Sequence, residues 1–128
     1  MLGDFVNQAA ELRDRTREFA VRIIDMADQL PRRLSTEILA KQLIRCATSV
    51  GANYRAACRA RSHSEFVSKI QIVQEEADET QYWLDLLFRI GVLKEEEFRP
   101  FEREASELTA IFTSSAATAR KNKVSSKK

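Results

Sequence analysis

Lys41, Arg45, Arg55 and Arg59 are spaced so that a helix between them would carry all four on one side. At about 100° per residue they fall within roughly 80° of each other, with Thr48 and Ala52 between them. Cations in that pattern do one kind of chemistry: they meet anions. Pairs four apart, Lys41 with Arg45 and Arg55 with Arg59, repel slightly on an ordinary solvated helix, where mixed signs support each other. Two readings follow. Either acids on neighbouring helices or other subunits answer the charge, or the stripe meets a polyanion such as nucleic acid.

Other chemistries are thinly represented. There is one histidine, His63, and no Glu three residues before it, so the Glu-x-x-His pairs of carboxylate-bridged metal bundles are excluded. Glu75, Glu76, Asp78 and Glu79 are dense enough to draw a hard cation but lack a Ca²⁺-loop spacing. Cys46 and Cys58 lie twelve residues apart, about 18 Å along a helix, too far to form a disulfide with each other. No G-x-S-x-G, Walker or dinucleotide-fingerprint glycines occur. The expectation is no catalytic residue, no metal and no cofactor.

Elements that position these residues follow from apolar spacing. Phe5, Ala9, Leu12, Thr16, Phe19, Ile23, Met26 and Leu30 recur at intervals of three and four, predicting a first helix from about Asp4, as N-cap, to Asp28. Pro31 ends it. A second helix, capped by Ser35 or Thr36, runs to about Arg61 and buries Leu39, Leu43, Cys46, Ala47, Val50, Tyr54 and Ala57. Gly51, among alanines and Ser49, marks a place where another helix comes close.

Ser62 and Glu65 form a capping box for a third helix, stopped by Gly91. His63 reads as a surface residue of that turn. Phe66, Ile70, Val73, Ala77, Thr80, Leu84, Leu87 and Phe88 give its core stripe. Pro100 leaves two possibilities for the last element: a short turn before a helix that starts near it, or one helix that bends there. Phe101, Ala105, Leu108, Phe112 and Ala116 or Ala119 supply that helix's face. The expected fold class is all-α, an up-down-up-down antiparallel four-helix bundle over residues 1–119. Residues 120–128, RKNKVSSKK, are expected to be a disordered basic tail that adds Lys121 and Lys123 to the cationic surface.

More surface is apolar than one bundle hides. Val6, Ala10, Val21 and Ile24 form a second stripe on the first helix, and Ile72, Trp83, Leu86 and Ile90 one on the third. Self-association is the simplest outlet, with Trp83 as anchor and Ile72, Glu76, Glu79 and Leu86 beside it. Glu76, Glu79, Asn53 and Thr80 are expected to be partly buried, with Arg45 as a partner for the acids across helices or subunits.

Charge is segregated along the chain. Residues 32–61 hold seven basic side chains against Glu37 alone, although the net charge is only +2. No apolar run is long enough to span a membrane, and the N-terminus lacks a signal-peptide layout, so the expected compartment is the cytoplasm.

The run SVGANYRAACRARS at 49–62, EFVSKIQIVQEEADETQYWLDLL at 65–87, the Leu30-Pro31 pair and the QLIRCATSVGAN block at 42–53 together resemble the four helix bundle protein family. That family includes proteins encoded by intervening sequences of bacterial 23S rRNA genes and the accessory variability determinants of diversity-generating retroelements. The resemblance extends to about residue 115. It implies a bundle that assembles into a homopentameric ring without catalysis. For the retroelement branch it also implies binding of RNA or DNA and of a reverse transcriptase through a basic surface, here Lys41, Arg45, Arg55, Arg59 and Arg61. Trp83 and its stripe become the implied intersubunit contact.

Overall fold

Apolar residues three and four apart do form helices here, and they meet in one core. The computed structural model describes residues 2–126, with the side chains of Leu2, Phe5 and residues 123–126 outside the description. Four helices and no strand make up the described residues: α1 (Leu2–Asp28), α2 (Leu34–Cys58), α3 (His63–Arg89) and α4 (Glu95–Ser126). Phe19, Ile23 and Met26 from α1 join Leu43, Val50 and Tyr54 from α2, Ile70, Val73, Leu84 and Leu87 from α3, and Leu108 and Phe112 from α4. No described helix is long and apolar enough to cross a membrane.

α3 is the central element, packed along both α2 and α4. Its contacts with α4 pair His63 with Ala119, Gln81 with Thr109 and Phe88 with Phe98. α1 lies along α2 and touches α4 only locally. A forked ion pair holds that thin seam: Arg15 Nε donates to Glu104 Oε2 at 2.8 Å and Nη2 to Glu104 Oε1 at 2.6 Å, with Glu107 also 2.6 Å from Nη2. Hydrogen bonding to Glu104 keeps this guanidinium still harder to deprotonate than usual.

The expected close approach at Gly51 is present. A Cβ there would sit 3.3 Å from Thr16 Oγ1 and 3.6 Å from its backbone carbon. Thr16 is fully buried and turns its hydroxyl onto its own helix, donating to Leu12 O at 2.8 Å. A threonine that satisfies itself and a glycine without a side chain let α1 and α2 meet almost backbone to backbone.

The helix ends agree in part with the sequence. Ser62 Oγ accepts from Glu65 N, and Glu65 Oε2 accepts from Arg61 N, both at 3.1 Å, so the box closes one residue earlier than its usual form. Gly91 has φ +83; its N–H donates to Phe88 O and that of Val92 to Leu87 O, the paired bonds of a Schellman stop.

Other boundaries are corrected. α1 already includes Leu2, so Asp4 is not its cap but an acid in the first turn, where it meets the positive end of the dipole. α2 begins at Leu34 with extended Arg33 at the N-cap position, and neither Ser35 nor Thr36 caps it. Thr36 instead turns into the core, 1% exposed, its hydroxyl without a partner among the described residues. α2 ends at Cys58 rather than near Arg61, because Ser62 needs an extended backbone to cap α3.

Pro100 lies inside a single α4. Pro100 and Glu96 are both exposed, so the helical bond that Pro100 cannot donate to the Glu96 carbonyl is lost at the surface of α4. α4 also continues past Arg120 to Ser126, where a tail was expected. No glycine or second proline follows Pro100 to stop it, and buried Ala116 and Ala119 keep its last turns against the core.

The Thr16 and Gly51 contact generates a thermal-denaturation test. Gly51→Ala gains about 1 kcal/mol of helix propensity against a slightly tight approach, so its melting temperature stays near the parent's. Gly51→Leu has no room and loses about 1–3 kcal/mol through overpacking. Equal melting temperatures for the two variants would mean that the helices do not approach closely here.

Candidate nucleic-acid interface

α2 turns its cationic side away from the core, as its wheel requires. Lys41, Arg45, Arg55 and Arg59 are all exposed, while Leu43, Cys46, Ala47, Val50, Tyr54 and Ala57 are buried. Arg61 is exposed but lies in the connection to α3, beyond the end of α2. Lys121 is exposed on α4, far along the chain from the stripe; the side chain of Lys123 lies outside the described residues.

One member of the stripe is already engaged. Arg45 Nη1 is 3.1 Å from Glu76 Oε2, Nη2 bonds Glu79, and Nε donates to Gln42 Oε1 at 3.2 Å. Cys46 donates its thiol proton to the same Glu79 oxygen. Burial, reinforced by Glu79, pushes the Cys46 thiol up to about 12, so it stays protonated and unreactive. Glu79 is held below the usual carboxylate range, first by the Cys46 thiol, then by nearby Trp83 and Arg45. Trp83 Nε1 is buried and closes no well-formed hydrogen bond among the described residues, yet the indole N–H lies near enough to favour the ionised carboxylate.

This cluster gathers several residues that the sequence assigns to different tasks. Cys46, Glu76 and Glu79 bring three metal-ligating atoms within 4.8 Å of one another. The Arg45 guanidinium sits among them and supplies the positive charge that a metal would. Glu76, Glu79, Ile72, Trp83 and Leu86, expected at a contact between subunits, are all half-buried within one chain. Trp83 packs against the core cluster on one side and meets exposed Tyr82 edge-on at 5.1 Å on the other.

The unengaged arginines of α2 face a second set that sequence reasoning passed over. Between α1 and α2 lies an open groove of about 620 Å³, lined by Arg13, Arg17, Arg55 and Arg59 around a floor of Ala20, Thr48, Gly51 and Ala52. Asp14 is its one carboxylate, 2.7 Å from Arg17. Among the described residues, Arg13, Arg55 and Arg59 have no carboxylate within 4.0 Å. The missed signal was in plain view: Arg13 and Arg17 are a like-charged pair four apart, hidden by the acidic total of the first helix. Cys58 is exposed on this groove's wall.

The family model for the 23S rRNA-intervening sequence protein matches residues 8–114. The chain belongs to that family. A family structure from Bacteroides thetaiotaomicron VPI-5482, described as a protein with unknown function from the S23 ribosomal protein family, is 33% identical. The match covers 85% of this chain and 97% of that one, with a TM-score of 0.78. No curated protein matches. Residues 8–114 take in every groove arginine, the Arg45 cluster and the Gly51 contact.

Two measurements check the thiol chemistry. With iodoacetamide, Cys58 of the folded family member reacts readily and Cys46 only on unfolding. The Cys46 thiol ionises near 9.0 in an unfolded chain but near 12 when folded, so the unfolded state sheds its proton first. Stability is therefore full below pH 9 and falls as pH rises towards 12. Cys46→Ala moves the onset of that alkaline loss upward, towards the ordinary tyrosine value of 10.0 set by buried Tyr54. An unchanged onset in melts across that range contradicts the assignment.

Proposed function

We propose that this family member is a non-catalytic, oligomeric nucleic-acid-binding protein that holds phosphate backbones on the basic side of α2. The observation that carries the reading is the groove where Arg13 and Arg17 of α1 join Arg55 and Arg59 of α2 around a single acid. Four guanidinium groups left largely without in-chain partners are costly to crowd together unless an anion joins them. Lys41 and Arg61 extend the cationic surface, and exposed Lys121 adds to the positive charge from α4. Arg45 contributes field rather than contact while it is held by Glu76 and Glu79. The family description, which concerns a 23S rRNA intervening sequence, is consistent with an RNA-associated role.

The bundle is read as up-down-up-down and antiparallel. Contacts run forward along α3 as they run backward along α4, from His63 with Ala119 to Phe88 with Phe98, which supports that order. Self-association, as the homopentamer implied by the family resemblance, is supported by large apolar side chains left in solvent. Leu34 is 79% exposed, Ile38 and Val21 54% each, and Tyr82 56%. Gathered copies multiply the groove and bind a long polyanion with avidity.

A second reading, a scaffold that binds only proteins, draws on Arg45. Its engagement by Glu76 and Glu79 shows in-chain acids answering part of the stripe. Charge reversal separates the two. Arg55→Glu with Arg59→Glu abolishes nucleic-acid binding and leaves the native mass unchanged under our reading; the scaffold reading requires the opposite.

Mobility-shift assays test the proposal itself. Neutralising about four phosphates per subunit makes affinity fall roughly 100-fold between 50 and 200 mM salt. A parent protein that shifts no RNA or DNA even at the lower salt overturns it.

A further inference from the structure

The groove between α1 and α2 has a shape as well as a charge. Arg13 and Arg17 stand four apart on α1, Arg55 and Arg59 four apart on α2, so each pair is separated by about 6 Å along its helix. The two rows are set apart by one helix–helix spacing, about 8–10 Å in general, at the point where Gly51 lets the helices approach closely. Between the rows the floor is made of Ala20, Thr48, Gly51 and Ala52, with no side chain tall enough to prop a ligand away. The result is two parallel tracks of positive charge with a shallow channel between them.

We propose that this groove accepts the two phosphate rows that flank a groove of a double-stranded nucleic acid, rather than a single strand. The inference rests on the reading above that the protein binds nucleic acid. Single strands are held by aromatic platforms on which bases stack. The groove lining contains no aromatic residue. Tyr54, the nearest along α2, is 7% exposed and turned inward, its ring 5.2 Å from that of Phe112. Nor does the lining hold Asn or Gln, the side chains that read adenine edges. Besides its arginines it offers mostly small side chains, which suits contact with the backbone.

A duplex supplies the matching pattern. Its two strands bring phosphates into facing rows across the deep, narrow major groove of A-form RNA, or across the minor groove of B-DNA, about 6 Å wide. Consecutive phosphates along each strand then meet consecutive arginines along each helix. Asp14 opposes this binding from the α1 side. Its pair with Arg17 leaves both side chains more than two-thirds exposed, and such surface pairs hold weakly enough for a phosphate to displace the acid.

Fluorescence anisotropy with an RNA duplex, the DNA duplex of the same sequence and each strand alone, at about 0.15 M salt, decides it. The parent protein binds at least one duplex about tenfold tighter than its separate strands, as expected when two further phosphate contacts are made. The two duplexes together show which helical form fits. Arg13→Ala with Arg17→Ala removes one track, so duplex affinity drops to the level of the single strands, which Arg55 and Arg59 still hold. Arg13→Lys with Arg17→Lys keeps most of the duplex preference, and Asp14→Asn tightens duplex binding two- to threefold. Arg32→Ala with Arg33→Ala, off the groove, changes nothing; circular dichroism confirms that each variant keeps its helix content.

Single strands bound as tightly as duplexes overturn the inference while leaving the nucleic-acid reading in place. A duplex preference that survives loss of the α1 pair also overturns it. No binding to any of the probes removes the nucleic-acid reading, and this inference with it.

Discussion

α1 is held in place by very little besides its contact with α2, and that contact turns on a missing side chain. Thr16 occupies the space where a residue at Gly51 would extend. α1 makes only a thin seam with α4, so its azimuth is set by this approach. Everything else on α1 follows from the helical turn. With Thr16 facing Gly51, Arg15 points towards α4 and reaches Glu104, and Arg22 lies 5.7 Å over the Phe101 ring. Arg13 and Arg17 fall on the opposite flank, beside α2. A glycine that lowers intrinsic helix stability by about 1 kcal/mol therefore decides which arginines meet acids and which line a groove.

The allocation of guanidinium groups is the second organising feature. Arg15, Arg45, Arg89 and Arg99 each have carboxylates within 4.0 Å in the same chain. In the Arg45 cluster a protonated, buried Cys46 and a nearby indole help hold Glu79 ionised beside the guanidinium. Of the described arginines without such a partner, Arg13, Arg55 and Arg59 converge on the groove. Convergence of the unpaired charges, rather than the positive total of one segment, gives the interface its character. Overall net charge, at +2, says almost nothing about it.

Periodicity made the helices and their buried faces legible from the chain alone, since the pattern at Phe19, Ile23 and Met26 or at Ile70, Val73 and Leu84 admits one orientation. The stops were legible where chemistry is specific: Ser62 with Glu65, and Gly91. They were not where backbone context overrode local preference. Thr36 reads as a cap but is drawn into the core, and the basic end of α4 reads as a tail but continues the helix. The interface was half legible. The α2 row stood out because its segment has one acid, whereas Arg13 and Arg17 were masked by the acidic total of α1. Arg45 shows the converse: its spacing places it on the stripe, while its partners come from a helix thirty residues on, a pairing that only packing reveals.

Side-chain NMR of the arginine Nε–Hε groups during titration with RNA tests this division most directly. The account predicts that resonances of Arg13, Arg17, Arg55 and Arg59 shift together, while Arg15 and Arg45, held by Glu104 and by Glu76 with Glu79, stay in place. Shifts led by Arg15 or Arg45, or spread evenly over every arginine, would contradict it.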